Sequence, residues 1–129
     1  MKSIAHLSGQ TLPYKGNGRK LGYPTANINI PTALADGVYF GFASLDIYKQ
    51  NPALVFIGTP TTVGDDDRRI EAYLLDIPDR DYYDAHLRLN IEHFHRANKT
   101  FESIDELKKA MKADEDAGRE WFKKHTLAP

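Results

Sequence analysis

The chain has 129 residues, 41% of them apolar and 27% charged, and a formal net charge of −1, which suits one domain around one core and is too short for two full enzyme domains. These values exclude a disordered or fibrous polypeptide and give no support to broad electrostatic binding of nucleic acid or anionic membrane. The absence of cysteine excludes disulfides, thiolate nucleophiles and zinc–thiolate sites. A small domain without disulfides fits the cytoplasm. Met1 to His6 lacks the apolar core of a secretion signal. No apolar run approaches the roughly 20 residues that span a bilayer. A soluble, cytoplasmic, monomeric protein is the expectation.

In chain order, Ile4 to Leu12 reads as a strand with Gly9 inside it, followed by a Gly- and Lys-rich loop from Pro13 to Gly22. Val38 to Leu45 alternates Val38, Phe40 and Phe42 against Tyr39, Gly41 and Ala43. Ala53 to Ile57 is a continuous apolar run bounded by Asn51-Pro52 and Gly58. Ile70 to Leu75 follows the polar turn Gly64-Asp65-Asp66-Asp67. In Leu87 to Ile91, Leu87, Leu89 and Ile91 face one side and Arg88 and Asn90 the other. Short strands at this spacing predict an antiparallel barrel or sandwich, and no early helix supports a parallel sheet. The period then changes. Ser103 and Glu106 form a capping-box pattern. Leu107, Ala110, Ala117 and Trp121 recur at helical spacing with Met111 alongside, and Lys123, Lys124 and His125 suit a helix C-terminus. One domain over 1–129 is expected, with the barrel to about residue 98 and a helix over about 104–125 lying against it. Asp114 falls on the apolar stripe, so it needs a partner or solvent, and a partly exposed structural role is expected.

The most informative stretch is Gly16-Asn17-Gly18-Arg19-Lys20-Leu21-Gly22-Tyr23-Pro24-Thr25-Ala26-Asn27. Glycines let backbone approach a ligand, successive N–H groups can cradle an anion, and Arg19 and Lys20 add positive charge. Thr25 and Asn27, two apart, point to one side if the segment is extended, which gives two oxygen ligands for a hard cation. Pro24 restricts Tyr23 at the entry to that segment. The Gly-Lys-Ser/Thr of a Walker A loop is absent. On chemistry alone such a stretch is more often just a basic hairpin turn.

The same stretch resembles the signature of the riboflavin kinase family, in which a flexible Gly-rich loop precedes Pro-Thr-Ala-Asn. Gly9 through Asn27 matches the family spacing without a gap, and Pro24-Thr25-Ala26-Asn27 is the most specific string. Asp36-Gly37-Val38-Tyr39, Ile57-Gly58-Thr59, Ile70-Glu71 with Leu74-Leu75-Asp76, and Arg96, Phe101 and Ser103 follow in the family's order, with Asp114 and Ala117 at familiar places in the helix. The resemblance runs from about Gly9 to Phe122.

It implies a six-stranded antiparallel Greek-key barrel with a C-terminal helix packed against it. It also implies an enzyme that moves the γ-phosphoryl group of ATP to the ribityl 5′-hydroxyl of riboflavin, giving FMN and ADP. In that reading Thr25 binds the nucleotide-associated metal, and Asn27 helps hold metal and phosphates. Gly16, Gly18, Lys20 and Gly22, with Pro24 and Thr25, enclose the nucleotide. Glu71 is the general base and Arg96 a flavin contact. The expected metal is Mg2+, with another divalent ion as the variant.

Glu71 taken alone would read as an ordinary solvated or salt-bridged strand residue. The chain departs from the family at Pro13-Tyr14, where His-Gly is common. It departs again at Pro60-Thr61-Thr62, where Arg-Pro-Thr is frequent, and at Tyr73, where His often stands two residues after the glutamate. These departures motivate an alternative, a non-catalytic flavin- or nucleotide-binding module of the same fold. An oligonucleotide-binding barrel would require an electropositive aromatic groove, which the charge does not favour. His93 and His95 share a strand face and could ligate metal, without an evident third ligand. Asp65-Asp66-Asp67 lacks the spacing of a calcium loop and reads as a solvated turn. Tyr39, Phe40, Phe42, Phe94 and Trp121 are candidates for flavin stacking or for packing.

Overall fold

The computed structural model describes residues 3–12, 25–59, 68–78 and 85–125. Six strands are present: β1 (Ala5–Gln10), β2 (Thr25–Ile28), β3 (Gly37–Leu45), β4 (Tyr48–Gly58), β5 (Arg69–Leu74) and β6 (His86–Arg96). One helix, α1 (Ile104–Lys124), follows them. Every ladder is antiparallel, in the order β1-β6-β3-β4-β5-β2. The hairpin-linked β3, β4 and β5, with β6 returning beside β3, make the Greek key. This is the six-stranded architecture expected from the resemblance. The sheet curls until its edges meet, where the Leu12 N–H donates to the Asn27 carbonyl at 2.9 Å.

Alternation sends one set of side chains into the barrel and the other to its outer face. Inside lie Ala26, Ile28, Val55, Ile57, Ile70, Ala72, Leu74, Leu87, Leu89 and Ile91, all buried. Phe40, Phe42, Leu54, Tyr73 and Leu75 form a second core on the outer face, closed by Met111 and Phe122 of α1. The helix begins as expected: Ser103 Oγ accepts from the Glu106 N–H at 3.1 Å. The buried line along α1 is Met111, Asp114, Gly118 and Phe122, flanked by half-buried Leu107, Ala117 and Trp121. The stripe is thus rotated from the expected one, with Gly118 set close against the sheet. A Cβ there would lie 2.8 Å from Leu54 Cδ2 and 3.2 Å from Phe40 Cε1.

Two strands run further than their periodicity suggests. In β4, Leu75 N–H donates to the Pro52 carbonyl at 3.0 Å. The Leu75 carbonyl, facing the amide that proline lacks, accepts Asn51 Nδ2 at 2.8 Å instead. The side chain before the proline repairs the ladder, so Asn51-Pro52 lies within the strand rather than at its boundary. In β6, register shifts opposite Val38/Tyr39 and Phe40/Gly41 leave His95 and Glu92 as extra residues. They break the alternation after Ile91 while the strand continues to Arg96. Among the described residues no helix is long and apolar enough to cross a membrane.

Candidate active site on the outer face of strands β2 and β5

Strand β2 is four residues long and pairs with β5 in the register Thr25↔Tyr73 and Asn27↔Glu71. Directly opposed side chains of an antiparallel pair stand about 5 Å apart at Cβ. Ala26 and Ile28 fill the barrel, so Thr25 and Asn27 take the outer face, which they share with Glu71 and Tyr73. All four are buried, and Glu71 is 0% exposed. The ordinary solvated glutamate is therefore not what the fold builds. A carboxylate at this depth requires hydrogen-bonded or charged company.

That company comes partly from Tyr73. Its hydroxyl donates to Glu71 Oε2 at 2.7 Å. Burial pushes the Tyr73 phenol well above its ordinary range, and the adjacent Glu71 charge and hydrogen bond add to the shift. The phenol therefore stays protonated and remains a donor. Arg69, two residues before Glu71 on the same face, brings Nη1 to 3.9 Å from Glu71 Oε1. On its other side β5 pairs with β4, where Phe56 is opposite Glu71 and Leu54 opposite Tyr73. The donor set of hydroxyl, amide and carboxylate is all oxygen, the chemistry of a hard cation.

Arg96 lies elsewhere, at the end of β6 under α1. Its Nε and Nη2 donate to the two oxygens of Asp114, each at 2.8 Å, and Nη1 donates to the Ala97 carbonyl at 3.1 Å. His95 Nε2 is 3.3 Å from the same carboxylate. The bulge at His95 turns two consecutive residues toward one acid. Asp114 is thus buried and fully engaged, where partial exposure was expected. His93 and His95 do share a face, but both stack on Phe40, with centroids at 5.6 and 4.6 Å. No group of three His, Asp or Glu residues that could hold a metal ion occurs among the described residues. Of the aromatic candidates, Tyr39 belongs to the inner core, Phe40 and Phe42 to the outer core, and Trp121 packs against the latter. Phe94 is exposed and meets the Tyr39 ring edge-on.

Gly16, Gly18, Lys20, Gly22 and Pro24 lie outside the described residues, as do Pro13-Tyr14, Pro60-Thr61-Thr62 and Asp65-Asp66-Asp67. The segment holding the glycines leaves from Leu12 and returns at Thr25, and the Leu12–Asn27 bond ties its two ends to this corner. The sequence had offered Tyr73 only as a departure from the family pattern. Its length and its i+2 spacing from Glu71 are the signals that could have marked it as a partner.

Over residues 2–122 the chain matches the family described as Flavokinase: Riboflavin kinase. It is 33% identical over 122 residues to the trifunctional protein RibF/MnmA of Mycoplasmoides gallisepticum, covering 92% of this chain and 18% of that protein. It is 29% identical over 136 residues to the riboflavin kinase of Pyricularia oryzae, covering 88% of this chain and 68% of that one. The chain thus spans less than a fifth of the first relative and about two thirds of the second. The crystal structure of riboflavin kinase from Trypanosoma brucei shares the fold, with a TM-score of 0.70 over 95% of this chain and 82% of that one at 22% identity. With the family match running almost from end to end of a barrel of the same architecture, the chain belongs to the riboflavin kinase family.

Proposed function

We propose that this chain phosphorylates riboflavin to FMN at the β2–β5 corner, with ATP as phosphoryl donor. The observation that carries the reading is the fully buried Glu71 carboxylate, in ladder register with Asn27 and on the face shared with Thr25. Glu71 orients the ribityl 5′-hydroxyl and accepts its proton as the oxygen attacks the γ-phosphorus. The bond to the β–γ bridging oxygen breaks, and ADP leaves. Thr25 Oγ1 and Asn27 Oδ1 are the residues that would hold the divalent ion, Mg2+ in the first instance. A hydroxyl and an amide oxygen on one strand face are ligand types that would suit such an ion. When bound, the ion supplies neutralisation of phosphate charge. Gly16, Gly18, Lys20, Gly22 and Pro24 enclose the nucleotide from the segment between Leu12 and Thr25. Arg96 is the flavin-side contact. Its fork is already held by Asp114, and two of its five N–H groups remain for a ligand among the described residues.

Purified protein given riboflavin and Mg-ATP is expected to form FMN and ADP in equal amounts, and EDTA is expected to stop the reaction. Glu71→Gln keeps the shape of the side chain and is expected to lower kcat by about 100-fold or more. Full turnover by that variant removes Glu71 as the base. Flavin and ADP binding without product would leave only the binding-module alternative.

A further inference from the structure

We propose that Tyr73 is a positioning residue that fixes the Glu71 carboxylate for proton transfer, an inference that rests on the kinase reading of this corner. The phenol donates to Glu71 Oε2 at 2.7 Å between side chains that share a face and are two residues apart. Same-face strand neighbours are about 7 Å apart at Cα, so a side chain leaning along the strand can bring its donor to this carboxylate. The tyrosine ring cannot swing away. It is buried in the outer core with Phe40, Leu54, Met111 and Phe122. The hydroxyl position is therefore set by the packing of α1 on the sheet, and Glu71 is held through that hydroxyl. A carboxylate with one oxygen anchored loses the rotation about its terminal torsion that would otherwise blur its alignment with an acceptor alcohol. Desolvation keeps the phenol in its donor form, consistent with the geometry. Tyr73 itself acts through Glu71, so its loss should fall on turnover rather than on substrate binding.

The test measures FMN formation by wild type, Tyr73→Phe, Glu71→Gln and the double variant. Wild-type protein that makes no FMN fails the kinase reading itself. Given an active wild type, Tyr73→Phe is expected to lose at least about tenfold in kcat, with KM for riboflavin and for ATP within about threefold. Unchanged kcat, or a loss confined to KM, overturns the inference. In the Glu71→Gln background, Tyr73→Phe is expected to have no further effect, because the two act as a unit. Losses that multiply would mean that Tyr73 contributes only to the fold. Should Tyr73→Phe not fold, Tyr73→His decides. It keeps a ring N–H donor at this position, and kcat within about tenfold of wild type is expected. A folded histidine variant as slow as Glu71→Gln overturns the inference.

Discussion

Replacing Asp114 with alanine removes the acceptor of two guanidinium bonds, both at 2.8 Å, that join α1 to the end of β6. Each charge-assisted bond contributes about 1.5–3 kcal/mol, and breaking a buried pair by deleting one partner costs about 3–5 kcal/mol. Arg96 is not fully desolvated: its side chain is 28% exposed, so water can replace part of what it loses. The expected destabilisation is therefore about 2–3 kcal/mol. For a domain of this size that is a fall in Tm of about 10 °C. Urea unfolding followed by far-UV circular dichroism and by the fluorescence of Trp121, the single tryptophan, would measure it. Arg96→Met with Asp114→Leu should recover most of the loss, because an apolar pair of similar volume needs no compensation for buried charge. A loss below about 0.5 kcal/mol for Asp114→Ala, or equal losses for Asp114→Ala in the wild-type and Arg96→Met backgrounds, would refute the assignment of this pair as the helix anchor.

Two further outcomes follow from the packing. Gly118→Ala should destabilise by about 1 kcal/mol, since the roughly 1 kcal/mol gained in helix propensity is outweighed by about 1–3 kcal/mol of overpacking. The new methyl would sit 2.8 Å from Leu54 Cδ2 and 3.2 Å from Phe40 Cε1. A lowered urea midpoint at constant m is expected, and a raised midpoint would show that α1 can lift from the sheet without cost. Partial desolvation of His93, then the charges of His95 and His125, lowers its pKa below the usual 6.5. The unfolded chain therefore binds more protons below that pH, and stability falls as pH drops from about 6.5 through the lower folded value. His93 stacks on Phe40 and Trp121, which also pack on each other, and these rings take water from one side of the imidazole. His93→Gln should flatten the decline in Tm between pH 7.5 and pH 5 (about the window of the histidine titration), and an unchanged slope would assign the effect elsewhere.

Much of this fold is visible in local pattern. The alternation of Val38 to Leu45 matches Gly37–Leu45, and the Ser103–Glu106 cap places the start of Ile104–Lys124. Where pattern fails, a specific local device is responsible. The Asn51 amide substitutes for the absent proline N–H, and the extra residues Glu92 and His95 interrupt the period of β6 without ending it. The positions of Thr25 and Asn27 on one face follow from their spacing once β2 is extended. That Glu71 stands opposite Asn27 does not follow from spacing, because strand register is a long-range property set by the whole barrel. Burial of Glu71 and Asp114 is likewise invisible in sequence: each is made tolerable by partners that only the folded chain assembles, Tyr73 in one case and Arg96 in the other.

The outer core that Tyr73 shares with Met111 and Phe122 ties the β2–β5 corner to a stretch synthesised much later than the strands that form it. A nascent chain whose sheet has formed but whose helix is still in the ribosomal tunnel would show Phe40, Phe42 and Leu54 as a sticky apolar plate. It would also hold a carboxylate whose aim is not yet set. The docking of α1 covers the plate and sets the Tyr73 ring in one event. A chain truncated before Met111 would leave that plate uncovered, a mark of the unfinished state for chaperones and proteases.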